Sequence, residues 1–172
     1  MTVNNKEKRF KRETAERHLD ILMEKVRAYN ANPFNPYMFS DIVVFGSYVN
    51  DPQKQMLGDL DIGFKLEPRY FTEESFAACM EIGEENALGE LPSLTRLPSY
   101  VDWTDICQEY ALKFIKHGLG YIALHRIADE PGEGENPYIF DKAIKRMDTG
   151  MVARFPDDEI IAYADEAFGE YL

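Results

Sequence analysis

The sequence predicts an α/β (α+β) fold, and three features point there. Amphipathic stripes at helical spacing are separated by short apolar runs of strand length. Gly, Pro, Asn and Asp bound those runs. One of them, DLDIGFKL, alternates with a period of two, as a half-buried strand does.

The first helix is expected over about residues 12–29, where Ala15, Leu19, Leu22, Met23 and Val26 recur at helical spacing and share a face. Asn30, Asn32, Pro33, Asn35 and Pro36 stop it. Ile42 to Phe45 then reads as a short apolar strand running straight into Gly46-Ser47. A polar stretch, Asn50 to Gly58, leads to a second strand from Asp59 to Leu66. Its alternation puts Leu60, Ile62, Phe64 and Leu66 on the core face, and Asp59, Asp61, Gly63 and Lys65 on the other. Pro68 ends it. Thr72 can cap a helix from Glu73 to about Glu84.

Gly89, Pro92 and Pro98 keep the next stretch irregular, up to a third short strand near Tyr100 to Trp103. A helix from about Asp105 to His117 carries Ile106, Tyr110 and Phe114 on one stripe, with Gly118 placed to close it. Gly120 to Ile127 reads as a further strand or connector, and Asp129 to Pro137 as an acidic loop. Two short helices, near Phe140 to Met147 and Asp157 to Phe168, are expected to finish the chain. On this reading residues 1–128 form one domain including the N-terminal helix, and residues 129–172 pack their loop and helices on it.

The formal charge of −12 argues against a broad basic surface for nucleic acid. Residues 1–30 depart from it, with eight Lys/Arg against five Asp/Glu. Such a start suits a solvated helix face first, and an acidic partner, a nucleic acid or the chain's own acidic body second. No apolar run approaches the roughly 20 residues of a membrane span, and no apolar stretch with a cleavage site follows the first basic residues. The cytoplasm is therefore the expected location and no membrane partner is expected. Cys79 and Cys107, the only cysteines, suit reduced, buried thiols.

Asp59 and Asp61 are separated by one residue on a strand and so point to the same side. Like charges held that close disfavour each other's ionisation. A divalent cation offsets that cost, because hard oxygen ligands are what magnesium takes. Gly46-Ser47 is the complementary half: glycine permits close approach, and the turn offers backbone N–H groups and a hydroxyl to a phosphate. Each piece alone is common. VVFGS, eleven residues and then DLDI is far more specific.

That run, VVFGSYVNDPQKQMLGDLDIGFKL, resembles the signature of the DNA polymerase beta-type nucleotidyltransferase superfamily, especially its small bacterial members. Phe45, Gly46, Ser47, Asp59, Leu60, Asp61 and Ile62 match it. The resemblance spans roughly residues 15–122. It implies a nucleotidyltransferase fold: a short mixed or antiparallel sheet backed by helices, with an open active-site cleft. It further implies that Gly46 and Ser47 hold a nucleoside triphosphate and that Asp59 and Asp61 bind Mg2+. SYVDWTDI, followed by a helix and KHGLGYI, is similar to the segment that carries the third acid. That implies Asp102 as a third catalytic and metal-binding carboxylate, with Asp105 and Asp129 as rivals. Where small members carry an arginine and a second glycine after Gly-Ser, this chain has Asn50 and Asp51; Lys54 can compensate the acid. Tyr48 is placed to meet the nucleotide, and Lys65 to meet an acid or a phosphate, or to make a structural ion pair.

The implied activity is transfer of a nucleoside monophosphate from the triphosphate to a hydroxyl, with release of pyrophosphate. An acceptor on a protein or a small molecule suits the acidic body better than long nucleic acid. The alternative is a degenerate scaffold of the same fold that acts by binding a protein partner, as antitoxins do.

Overall fold

The computed structural model describes residues 9–90, 103–127 and 143–169. Asp102 and the whole acidic loop from Asp129 to Pro137 lie outside the described residues, as do Tyr100 and Val101. The elements run β1 (Phe10–Lys11), α1 (Arg12–Asn30), β2 (Tyr37–Phe45), α2 (Ser47–Asn50), β3 (Met56–Leu57), β4 (Leu60–Pro68), α3 (Glu73–Glu90), α4 (Trp103–Lys116), β5 (Ile122–Arg126), β6 (Lys145–Arg146) and α5 (Asp157–Phe168). Helices and a four-stranded mixed sheet make the α+β class plain. The strand order is β5-β4-β2-β6, and β1 and β3 form a separate two-stranded ribbon. β4 and β5 are parallel, as their long return through α3 and α4 allows. β2 and β6 are antiparallel, Val43 opposite Arg146 and Val44 opposite Lys145.

The chain divides into two compact units interleaved in sequence. The first comprises Met1–Glu24, Asp41–Lys65 and Gly118–Asp148. In it Val43, Phe45 and Ile127 form a buried cluster, with Ile144 against them. Gly63 is glycine for a packing reason: a Cβ there would lie 2.7 Å from Val43 Cγ2. The ribbon joins Phe10 to Leu57 and Lys11 to Met56, and Phe10 stacks on Tyr121 with ring centroids 4.5 Å apart.

The second unit comprises Lys25–Ser40, Leu66–His117 and Thr149–Leu172. Its core gathers Tyr70, Ala78, Cys79, Ile82, Ile160 and Ala164, where α3 and α5 pack. Thr72 caps α3 as expected, its Oγ1 accepting from the Ser75 amide at 3.1 Å. Buried Arg69 donates to the carbonyls of Asn35, Asn30, Tyr37 and Ala153, and so ties the 149–153 segment to the start of β2. Asn30 reinforces it, its Nδ2 donating to the carbonyls of Phe39 and Thr149. Cys79 and Cys107 are free and buried, and burial pushes both thiols up to about 12.

Several boundaries differ from expectation. β2 begins at Tyr37 rather than Ile42, because Tyr37 and Phe39 already alternate inward. α3 continues past Glu84 through Gly89 to Glu90; within it, a Cβ on Gly83 would meet Pro36 Cδ at 2.7 Å. Trp103 opens α4 instead of ending a strand. Lys145-Arg146 form a strand where a helix near Phe140 to Met147 was expected. Backbone pairing with β2, continued by Met147 N–H donating to the Ile42 carbonyl at 2.8 Å, outweighs the short apolar pattern of this segment. Among the described residues, no helix is long and apolar enough to cross a membrane.

Candidate active site

Gly46 is where β2 hands over to α2. Its φ of 73° and ψ of −154° belong to a region essentially reserved for glycine. The chain doubles back at once, with the Val49 and Asn50 amides donating to the Gly46 carbonyl at 3.2 and 3.0 Å. Beside this turn runs β4, whose second residue is Asp61. A Cβ at position 46 would lie 2.3 Å from Asp61 Oδ2 and 3.2 Å from its Cγ. Glycine is thus demanded twice, by the backbone angle and by the carboxylate.

The other oxygen of Asp61 has its own partner. Oδ1 is 3.1 Å from His125 Nε2 on β5, and both side chains are about a quarter exposed, 23% and 29%. The register explains the meeting. Gly63 pairs with His125, so the imidazole stands on the face shared by Gly63 and Asp61. The ring meets Phe45 edge to face, with centroids 5.2 Å apart. Phe45 directly precedes Gly46, so Phe45, Gly46, Asp61 and His125 form a closed circuit of contacts. His125 was not among the residues expected from sequence.

Asp59 immediately precedes β4 and is exposed; Ser47 is half-buried at the start of α2. Lys65 is half-buried on β4, two residues beyond Gly63. Tyr48 carries the Arg12 guanidinium 4.8 Å over its ring, so one aromatic face is already covered. Burial, followed by Glu16, raises its phenol above the ordinary value. Lys54 is exposed and its carbonyl accepts from Arg12 Nε at 2.8 Å. Asp102, expected to complete the acids, lies outside the described residues.

The side chains that could hold a cation are Asp59 and Asp61. Their hard carboxylate oxygens suit magnesium, and Asp61 Oδ2 lies against the Gly46 turn. Among the described residues, no three His, Cys, Asp or Glu side chains gather as a metal-binding group. Searches of protein-family models, curated proteins and solved structures find no match for this chain.

Proposed function

We propose that this chain is a divalent-metal-dependent nucleotidyltransferase with a nucleotidyltransferase fold and an open cleft at its Gly-Ser turn. It would move a nucleoside monophosphate from a nucleoside triphosphate to a hydroxyl of a protein or small molecule. One observation carries the reading: the Asp61 carboxylate lies against Gly46, so the glycine turn and the acid strand meet at one place. A phosphate needs the first and its counter-ion needs the second.

Ser47 would offer its hydroxyl to the phosphates, and Lys54 and Lys65 would add positive charge nearby. Asp59 and Asp61 would hold Mg2+, which when bound neutralises phosphate charge in such transfers. Asp102 would orient the acceptor hydroxyl and take its proton. His125 would keep Asp61 in one rotamer by bonding Oδ1.

A second reading, a partner-binding scaffold without turnover, draws on Asp51, which puts an acid where the family signature has glycine. Calorimetry of each nucleoside triphosphate with Mg2+ separates the two, using wild type and the Asp59→Asn/Asp61→Asn variant. Metal-dependent binding that the variant loses supports the enzyme. Absence of binding by a folded wild type favours the scaffold.

A further inference from the structure

We infer that Arg12, at the start of α1, is the positioning residue of the loop between Gly46 and β4, and that nucleotide affinity depends on it. The inference rests on the reading of this loop as the phosphate site. Each of the three guanidinium nitrogens of Arg12 bonds a different loop carbonyl. Nη1 donates to Tyr48 at 3.1 Å, Nη2 to Asp51 at 2.7 Å and Nε to Lys54 at 2.8 Å. Its own amide donates to the Gln55 carbonyl at 2.8 Å, and its side chain covers the Tyr48 ring. Just before it, Phe10 and Lys11 pair with Leu57 and Met56. A continuous strap, residues 10–12, thus holds the loop from Tyr48 to Leu57.

Two consequences follow for an anion at Gly46-Ser47. Three carbonyl oxygens that would repel it are gathered on Arg12 instead. The acceptors are neutral carbonyls, so these bonds do not themselves cancel the positive charge of Arg12, which Asp51 in the loop and Glu16 and Asp20 beside Tyr48 offset only in part. The arginine that the family signature places just after Gly-Ser is here Asn50, and α1 brings one to the same loop from elsewhere in the sequence. The basic start of the chain therefore has a local use, which its charge alone did not show.

The test compares wild type with Arg12→Ala and Arg12→Lys in full-length protein. Hydrogen–deuterium exchange is read on the loop without nucleotide, and Mg2+-dependent triphosphate affinity is read by calorimetry. Lysine keeps the charge but cannot span three carbonyls. Both variants should exchange loop amides about tenfold faster or more, with α3 and α5 unchanged, and should bind nucleotide about tenfold more weakly. Loop exchange equal to wild type would overturn the inference. So would a loosened loop with unaltered affinity, which would make Arg12 merely structural. A wild type that binds no triphosphate would sink the nucleotide reading, and Arg12's role in it, while the exchange data still report whether Arg12 holds the loop.

Discussion

Gly46 and Asp61 touch across the one position on the glycine that any other residue would fill, 2.3 Å from the carboxylate oxygen Oδ2. The turn after β2 and the acid on β4 are therefore a single packed unit. A change at either residue should be felt at the other.

Gly46→Ala should cost about 1–3 kcal/mol for the backbone angle alone, with more from the displaced carboxylate. Urea denaturation reads the loss. In Gly46→Ala/Asp61→Ala part of the loss should return, because the clash is gone while the strained angle remains. Strictly additive losses would show that the two residues do not meet.

His125→Ala removes the bond from the imidazole to Asp61 Oδ1. Losing a hydrogen bond to a charged group should weaken magnesium–nucleotide binding about tenfold, since Asp61 can then leave its rotamer. His125→Gln, which can still donate, should keep most of the affinity. Equal affinity in all three proteins would remove His125 from the site.

Arg69→Ala leaves several buried carbonyls without their donor and should destabilise the chain by about 3 kcal/mol or more. Arg69→Lys should recover only part, because one ammonium cannot serve acceptors spread over Asn30, Asn35, Tyr37 and Ala153. Thermal unfolding of the three proteins would check the order.

Asp157 joins the start of α5 to α3, accepting from Ser75 Oγ at 2.8 Å and from Arg154. The Ser75 bond first, then Arg154, holds its carboxyl below the ordinary carboxylate value of 3.8. A depressed folded value contributes stability above the unfolded value, and loses it as pH falls through the folded one. Asp157→Asn should therefore be less stable than wild type at neutral pH. The gap should close as acid is added below pH 3.8, and a gap constant with pH would refute the linkage.

Much of this was legible in the sequence where the signal is local. α5 starts at Asp157 and ends at Phe168 as expected, with Pro156 before it and acids in its first turn. The helix after Thr72 announces itself by its cap. Gly46 and Asp61 flank one loop between neighbouring strands, so their spacing already suggests they are close. β1, β3 and β6 are two residues each, too short to carry a period, and are held by backbone pairing that no side-chain pattern records. His125 reaches Asp61 only through the parallel register of β4 and β5, which spacing along the chain does not encode. Arg12 was hidden for the same reason: a charge on a helix looks solvated until the loop it holds is known.

The brevity of β6 also bears on how copies of this chain behave together. Among the described residues the sheet ends at that side on Lys145 and Arg146, both exposed, with Arg146 paired to Asp41. A foreign strand seeking to extend the sheet at that side meets two cations on a two-residue ladder, a poor template for self-association. Exchanging them for valine and threonine would turn a guarded border into an adhesive one, and light scattering at high protein concentration would register the change.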